Sequence, residues 1–599
     1  MCGIVGFTGN RQAAPILLDG LSKLEYRGYD SAGVTVLNNV LTTVKCKGRL
    51  KNLEEKLKNH DMTGHVGIGH TRWATHGVPS NLNSHPHTNP SNTISIVHNG
   101  IIENYRELKD ILLEKGYSFQ SETDSEVVVM CLDYFYEGDL LEAVKKTLNC
   151  IDGSYALCIV STEHPDEVVV AKKASPLVIG RTEDASVAAS DIPALLAYTK
   201  DVYFLDDLEM AVLKKDSITF YNKDGKEITK EMTTIPYDME AAQKNGFDTY
   251  MLKEINEQPH VIQETLRGRI FEHSIVLDEL KDVDFNKFNK VYYVACGTAY
   301  HAGLCGASIL ERATRLPVLT QVASEFRYND PIIDEKTLCI FVSQSGETAD
   351  TLAALKLANE KGCTTIAVTN VLGSTISREA QHTLYTCAGP EIAVASTKAY
   401  TTQLVLLTLI ALYIADKRGD TVDTDLMEQL NNLPEYVSKL IDDEAIFENY
   451  AKTLKDKHDC YFIGRSLDYA SVLEGALKLK EVSYVHADAY IAGELKHGPI
   501  ALIEPGTVVI AVATQPHVAA KTISNIQETI ARGAEVILFT VEGQEVSGVE
   551  NIYYLPDINP LLQSVLVAIP LQLIAYHTAC IKGCDVDKPR NLAKSVTVE

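Results

Sequence analysis

The chain has 599 residues, of which 45% are hydrophobic and 23% charged, proportions typical of a globular protein that divides into about three to five domains. Its formal net charge of −25 disfavours a broad surface for nucleic acid or anionic lipid, so an anionic substrate would have to be held by local groups. Thirteen cysteines without a Cys-x-x-Cys pair indicate reduced thiols in the cytoplasm rather than a disulfide framework or a zinc site.

Residues 2–220 are predicted to form a first, β-rich domain. Gly, Asn and Asp turn signals separate its short strand-like runs, at residues 95–97, 156–160, 167–171 and 210–213. A polar, charged segment follows, so we expect residues 221–280 to be a linker with connecting helices. The N-terminus has neither a basic start nor a long apolar stretch and therefore does not predict a signal peptide.

Cys2 stands directly behind the initiator methionine. Removal of Met1 would leave a thiol and a free α-amine on one residue. Because an α-amine has a pKa of about 7.7–8, it can act as a base near neutrality. Cys2 would then carry both a nucleophile and its base. From its position alone, it could also be a small residue that opens a strand.

Four further segments accompany the opening Cys-Gly-Ile-Val-Gly, at residues 24–31, 70–77, 98–100 and 121–124. Together they resemble the glutaminase domain of class II amidotransferases. The resemblance implies an N-terminal-nucleophile fold, a sandwich of sheets that belongs to the α+β class. It also implies that Cys2 attacks the amide of glutamine.

The resemblance gives the other glutaminase residues roles that suit their chemistry. Arg72 would bind the glutamine carboxylate with its two-pronged guanidinium, and Asp124 would pair with the α-ammonium. The side chain of Asn99 and the backbone N–H of Gly100 would form the oxyanion hole. Trp73, Thr75 and His76 would be further contacts. Taken singly, these residues could also be a surface arginine, a capping aspartate and an ordinary Asn-Gly turn.

His85 and His87 lie close together in the sequence and could suggest a metal. No third ligand stands at a suitable spacing, so we predict no metal site. They are interpreted as loop histidines near the glutamine site.

The remainder of the chain alternates predicted strands and helices, and it repeats itself. Three segments recur farther along the chain. Residues 291–295 resemble 460–464, residues 338–342 resemble 507–511, and residues 362–369 resemble 533–540, at offsets of 169, 169 and 171 residues. This pattern predicts two doubly wound α/β domains with parallel sheets, at residues 281–425 and 450–590. The longest apolar run, residues 404–415, is shorter than the roughly 20 residues that cross a bilayer and is predicted to be a buried helix.

The strand at residues 338–342 leads into a hydroxyl-rich turn, Ser343-Gln344-Ser345-Gly346-Glu347-Thr348, before a predicted helix. Free backbone N–H groups and the helix dipole at such a turn favour a phosphate. Simple N-capping by Ser345 or Thr348 remains an alternative. The second repeat has Ala-Thr-Gln-Pro at residues 513–516, so only the first copy is predicted to bind phosphate in this way.

Glu474, Lys478 and Glu481 follow the i, i+4, i+7 spacing of one helical face. A solvent-exposed ladder of ion pairs would show the same spacing. This face belongs to a set of segments that together resemble paired sugar-isomerase (SIS) domains. The others are the turn at residues 343–348, residues 394–399, residues 493–499 and the C-terminal segment from Pro589. The two halves together resemble the family of isomerizing glutamine–fructose-6-phosphate aminotransferases.

This resemblance implies a sugar-phosphate site. Its phosphate and sugar contacts would be Thr298, Ser343, Gln344, Ser345 and Thr348, with backbone contacts from Val394 and Ala593. His497 would help to open the sugar ring, and Lys594, in the active-site tail 591–599, would form an imine with the sugar. Glu481 would transfer a proton between C1 and C2, and Glu474 and Lys478 would tune the acidity of Glu481. Ala299 stands where serine often follows Cys-Gly-Thr, so a hydroxyl contact is lost there.

The implied reaction converts glutamine and fructose 6-phosphate to glutamate and glucosamine 6-phosphate. The resemblance implies no cofactor and no metal, a homodimer, and neither nucleic acid nor membrane as a partner. Two other functions are alternatives to this reaction. Another class II amidotransferase would need a phosphoribosyl-pyrophosphate or ATP-pyrophosphatase loop, and we find neither in the sequence. A sugar-phosphate sensor would have no use for Cys2, Glu481, His497 and Lys594.

Overall fold

The computed structural model describes residues 2–235, 243–271 and 274–597. The chain divides into two compact units. One is Met1–Ala242 together with Ala593–Glu599, and the other is Gln243–Leu592.

The first unit is built on antiparallel strands. They are β1 Gly3–Gly9, β2 Ser31–Asn38, β3 Val40–Lys47, β4 Val66–Arg72, β5 His87–Thr88, β6 Ile94–Ile102, β7 Gly153–Ser161, β8 His164–Lys173, β9 Val178–Arg181, β10 Ala185–Ala189, β11 Asp201–Phe204, β12 Met210–Leu213, β13 Ile218–Tyr221, β14 Glu227–Ile228 and β15 Thr233–Thr234. Its helices are α1 Ala13–Lys23, α2 Leu50–Leu57, α3 Tyr105–Glu114, α4 Glu126–Phe135 and α5 Leu140–Leu148.

These strands form two sheets. One has the order β15-β11-β9-β10-β1-β4-β2-β3 and the other β14-β13-β12-β8-β7-β6-β5. Buried residues from both sheets, such as Ile4, Val97 and Cys158, share one core. A second core joins β6, β7 and β8 to α4 and α5, while α1 packs on β1 and β4. The predicted sandwich is confirmed, as are its strands at residues 95–97, 156–160, 167–171 and 210–213.

The second unit contains α6 Tyr250–Asn256, α7 Gln258–Leu266 and the short pair β16 Ile270–Phe271 and β17 Ser274–Ile275, followed by two α/β repeats. The first repeat has β18 Lys290–Ala295, α8 Gly297–Thr314, β19 Val318–Val322, α9 Ala323–Phe326, β20 Thr337–Ser343, α10 Ala349–Glu360, β21 Thr364–Thr369, α11 Thr375–Glu379, β22 His382–Tyr385 and α12 Lys398–Arg418. After α13 Thr424–Asp442 and α14 Glu444–Thr453, the second repeat has β23 Asp459–Gly464, α15 Leu467–Ser483, β24 His486–Ile491, β25 Val508–Ala513, α16 Ala519–Ile530, β26 Glu535–Val541, β27 Asn551–Leu555 and α17 Gln563–Ile581.

Each repeat forms a five-stranded parallel sheet. The orders are β19-β18-β20-β21-β22 and β24-β23-β25-β26-β27, so equivalent strands occupy equivalent places. The two doubly wound domains predicted from the internal repeat are confirmed. In an open sheet of this kind, ligands bind at the carboxyl ends of the strands, where β20 runs into the hydroxyl-rich turn.

Two helices, α12 and α17, are long and apolar enough to cross a membrane, but 94% and 83% of their most apolar stretches are buried in the protein. The buried helix predicted at residues 404–415 is therefore confirmed within α12.

The division between the two units, at residues 242 and 243, falls inside the segment predicted as a linker, residues 221–280. Strands β14 and β15 pair with β13 and β11, so residues up to 235 still contribute to the sheets of the first unit. Among the described residues of this range, α6 and α7 match the expected connecting helices.

Candidate functional site

Cys2 lies immediately before β1, a strand held between β10 and β4. Its Sγ accepts a hydrogen bond from the backbone N–H of Trp73, at 3.1 Å, just beyond the end of β4. The carbonyl of Cys2 accepts from Arg27 Nε at 3.3 Å. Burial raises the pKa of the Cys2 thiol. A base is therefore needed to ionise the thiol near neutrality, which is the role that an adjacent α-amine could fill.

Asn99 and Gly100 lie on β6, beside Cys2. Asn99 Nδ2 donates to the Cys2 carbonyl at 2.9 Å, and the second N–H of this amide is available to a ligand. Gly100 has a φ of +131°, and a Cβ here would come within 2.0 Å of the Ser154 carbonyl oxygen. Only glycine fits at this point, because both the conformation and the close backbone approach exclude a side chain.

Arg72 is the last residue of β4, and its side chain is buried. Its Nη2 donates to the carbonyls of His76 and Gly77, whereas Nη1 is buried and has no hydrogen-bond partner among residues 2–235. Burial lowers the pKa of Arg72. A buried guanidinium N–H that lacks a partner costs free energy, so this group is suited to an anionic ligand such as a carboxylate.

The remaining predicted glutamine contacts lie around this arginine. Asp124 is buried, accepts a hydrogen bond from Ile102 N at 2.8 Å and lies 3.9 Å from His76 Nδ1. Trp73 is half-buried and packs edge-on against Tyr29, with ring centroids 5.9 Å apart. Thr75 is exposed. The structure thus gathers a thiol, an amide, a guanidinium and a carboxylate around one end of β4.

Four buried histidines lie behind this site, and sequence reasoning singled out only two of them. His70 and His85 stack with centroids 4.2 Å apart, and His87 packs edge-on against His85 at 4.6 Å. Burial lowers the pKa of all four imidazoles, His70, His85, His87 and His98, and that of His70 falls to about 3. Among the described residues, no group of three or more His, Cys, Asp or Glu side chains is arranged to hold a metal ion.

In the second unit, the turn after β20 has a compact hydroxyl network. Ser343 Oγ accepts from Gly346 N at 3.1 Å and lies 3.2 Å from Thr348 Oγ1, while Ser345 Oγ accepts from Glu347 N at 3.2 Å. Within the described chain, Thr348 occupies the N-cap position of α10 without a side-chain capping bond. Capping therefore does not explain the Thr348 hydroxyl, whereas the Ser343 and Ser345 hydroxyls accept hydrogen bonds from backbone N–H groups of the turn itself, directly before a twelve-residue helix.

The predicted charged face on α15 packs against α8 of the first repeat. Lys478 Nζ lies 3.4 Å from Glu474 Oε1, 2.5 Å from Glu481 Oε2 and 3.1 Å from Thr298 Oγ1. Thr298 Oγ1 also donates to Glu474 at 3.0 Å. The side chains of Lys478 and Glu474 are only 1% and 3% exposed, so the alternative of a surface ion-pair ladder is wrong.

Sequence reasoning missed His301, whose Nδ1 lies 2.7 Å from Glu474 Oε2. It stands three residues after Thr298 on α8, so helical spacing from that threonine was the available signal. The buried cluster therefore comprises Thr298 and His301 from one repeat and Glu474, Lys478 and Glu481 from the other.

Other predicted sugar contacts lie on separate segments. Val394 is buried, and its N–H donates to the Asp587 carbonyl at 3.0 Å, which leaves its carbonyl as the backbone group for a ligand. Gln344 is half-buried within the turn. His497 is exposed at the end of the 3-10 helix Glu494–His497 and has no hydrogen bond or ion pair with any described residue. Ala593 and Lys594 are half-buried in the tail that groups with the first unit.

The second repeat carries a carboxylate at the place that corresponds to the first repeat's turn. Asp468 Oδ2 accepts from the backbone N–H groups of Thr514 and Gln515 at 2.9 and 3.3 Å, and Oδ1 accepts from the Thr514 hydroxyl. By the 169-residue offset, Asp468 corresponds to Ala299, which has no polar side chain.

Comparisons with known proteins agree with this division of chemistry. A glutamine amidotransferase domain model matches residues 70–197, and an SIS domain model matches residues 284–413 and 453–582. A C-terminal domain of glucosamine-fructose-6-phosphate aminotransferase from Francisella tularensis, 38% identical, covers 58% of this chain and 99% of its own, with a TM-score of 0.56. The fold and both sites thus define a glutamine amidotransferase joined to paired sugar-isomerase domains.

Curated relatives match over the full length. Glutamine--fructose-6-phosphate aminotransferases [isomerizing] from Clostridium tetani and Caldanaerobacter subterraneus are 55% and 54% identical, over 100% of both chains in each case. The chain belongs to this family.

Proposed function

We propose that the chain transfers the amide nitrogen of glutamine to fructose 6-phosphate and isomerises the ketose to an aldose, giving glutamate and glucosamine 6-phosphate. The observation that carries this proposal is the pairing of two chemistries in one chain. The first unit sets a cysteine thiol beside an amide and a guanidinium N–H without a partner. The second buries a Glu–Lys–Glu cluster close to threonine and histidine.

In the glutaminase half, Cys2 attacks the amide carbon of glutamine after its own α-amine takes the thiol proton. Asn99 and Gly100 stabilise the oxyanion of the tetrahedral intermediate. Arg72 and Asp124 hold the carboxylate and the ammonium of the substrate. Ammonia leaves with the transferred proton, and water then hydrolyses the thioester to release glutamate.

In the sugar half, the hydroxyls of Ser343, Ser345 and Thr348 hold the phosphate, and His497 assists ring opening. Lys594 condenses with the C2 ketone with loss of water to form an imine, and ammonia then displaces the lysine at C2. Glu481 removes a proton from C1 and returns it to C2, which leaves an aldehyde at C1 and an amine at C2. A homodimer and a cytoplasmic location are part of the same proposal.

Exchange of the nucleophile tests the first half. We expect Cys2→Ala to lower glutamate release from glutamine by about 10³-fold or more, because the variant lacks the thiol that lies beside Trp73 N and, in this proposal, attacks the amide. Isomerisation of fructose 6-phosphate should remain within about twofold of the parent. Both rates are measured with and without fructose 6-phosphate. Cys150→Ala, which changes another half-buried cysteine of the same unit, is the matched control. Near-normal glutamate release by Cys2→Ala would show that the nucleophile is assigned wrongly.

A further inference from the structure

His70 lies on β4, two residues before Arg72, and its side chain is fully buried. Among the four clustered histidines it is the one whose ring contacts Asn99. Its Nε2 lies 3.1 Å from Asn99 Oδ1 and 3.0 Å from the backbone carbonyl of His98. His70 has no contact with Cys2 of its own among the hydrogen bonds of residues 2–235.

These contacts determine which nitrogen of His70 carries the hydrogen. A backbone carbonyl can only accept, so Nε2 must be the protonated nitrogen and the donor to both oxygens. Nδ1 is buried and has no hydrogen-bond partner among residues 2–235. Burial lowers the pKa of His70 to about 3, so the ring is neutral at physiological pH.

The same contacts determine the orientation of the Asn99 amide. Its Nδ2 faces the Cys2 carbonyl, and its Oδ1 faces the His70 N–H. Rotation of the amide by 180° would set two oxygens against each other at Cys2 and two N–H groups against each other at His70. Each end would then lose a hydrogen bond in a buried site, where an unpaired polar group is costly.

We propose that His70 is a positioning residue for the glutaminase reaction: it holds the Asn99 amide so that Nδ2 stays on the Cys2 side and can donate its second N–H to the oxyanion. This inference rests on the proposed role of Asn99 in the oxyanion hole. A rotated amide would present an oxygen to the developing negative charge and would destabilise the transition state that it should stabilise.

The test compares variants in the full-length protein. We expect His70→Leu to lower kcat for glutamate release by about 10²-fold with KM for glutamine within about threefold, because the amide acts on the transition state rather than on bound glutamine. His70→Gln, whose side-chain amide nitrogen can replace Nε2 as a donor, should recover most of that loss. His87→Leu is the matched control, since His87 is equally buried but contacts Thr123.

A double variant separates this inference from the proposed role of Asn99. If His70 acts through Asn99, His70→Leu should cost little in an Asn99→Ala background. Additive losses, or a normal kcat for His70→Leu, would overturn the positioning role. A near-parent kcat for Asn99→Ala alone would instead overturn the oxyanion assignment. Retained fructose 6-phosphate isomerisation reports on folding of the second unit only, so thermal unfolding of the first unit is followed too. His70→Phe serves as a second variant without a donor if the leucine variant does not fold.

Discussion

Lys478 is a buried cation between two carboxylates, Glu474 and Glu481. Although burial opposes the charge, the two carboxylates raise the pKa of Lys478, so it remains an ammonium. One cation then stabilises two anions, and removal of the lysine would leave them uncompensated in the interior. The proposed function assigns the proton transfer to Glu481, which lies beside this buried cation.

Asp468 carries a buried carboxyl group in which the effect of burial dominates, so its contribution to the free energy of unfolding depends on pH. Burial raises the pKa of Asp468 to about 6, above the value of 3.8 for an exposed aspartate. The folded state therefore binds this proton more tightly, and the contribution of Asp468 to stability falls as pH rises from about 4 to about 6. Asp468→Asn cannot ionise. Relative to the parent, we expect its free energy of unfolding to rise by about 3 kcal/mol between pH 4 and pH 7.

Urea-unfolding midpoints of parent and variant, measured across this pH range, check the sign of the effect. Asp425→Asn, at an exposed aspartate of α13, should show no such trend. If the difference between Asp468→Asn and the parent stays constant with pH, the carboxyl does not titrate in this window.

At the scale of elements, the segment after β4 links the thiol to a large aromatic ring. The backbone N–H of Trp73 contacts Cys2, while its half-buried ring rests on Tyr29. Farther along the segment, Lys45 Nζ donates to the carbonyls of Leu82, Ser84 and Pro86 at 3.2, 2.8 and 3.2 Å. The far end of the segment is thus fixed to β3, and its near end is fixed to Cys2 through the backbone of Trp73.

If the Trp73 ring gates the passage of ammonia, we expect Trp73→Ala to release glutamate within about threefold of the parent rate but to lose ammonia to solvent, because alanine lacks the large ring. Glutamate should then exceed glucosamine 6-phosphate in yield. Both products are quantified in one reaction, with Trp73→Phe as the control that keeps an aromatic ring. Equal yields in Trp73→Ala would contradict a gating role.

The sequence predicts the positions of strands and helices better than it predicts which elements pack against one another. Apolar runs and the 169-residue repeat located the central strands of both parallel sheets, because buried parallel strands read as near-continuous apolar segments. The spacing of Glu474, Lys478 and Glu481 identified a helical face. It could not show that α8 buries this face, because that contact joins residues about 175 positions apart. His301 was missed for the same reason, since its partner Glu474 is 173 positions away. His70 was missed because its contact with Asn99 joins two different strands, 29 positions apart.

At the scale of the whole molecule, the C-terminal tail from Ala593 is packed against the protein although it lies at the end of the chain. The tail from Ala593 groups with the first unit, and Ser595 and Thr597 are buried, so this end is not a solvated fringe. Lys594 itself is half-buried. Sodium borohydride added with fructose 6-phosphate should therefore trap a sugar adduct on the C-terminal peptide, since imine formation needs an amine held in place rather than a free lysine.

Peptide mass mapping locates the adduct, and Lys594→Arg should abolish both the adduct and isomerisation. Lys588→Arg, six residues earlier, is the control. An adduct confined to Lys478 or Lys496, or an active Lys594→Arg enzyme, would overturn the assignment.

Ala299 and Asp468 stand at the same place in the two repeats, yet one is a methyl group and the other a carboxylate bonded to backbone N–H groups. In the second copy, backbone N–H groups after β25 are thus already bonded to an internal carboxylate, whereas the proposed function uses the corresponding turn of the first copy for phosphate. Duplication of one domain would otherwise have given each chain two competing sugar sites served by a single Cys2. Under the proposed function, an internally occupied second copy would leave each chain with one nitrogen donor and one acceptor, and the second copy would contribute Glu474, Lys478 and Glu481 instead.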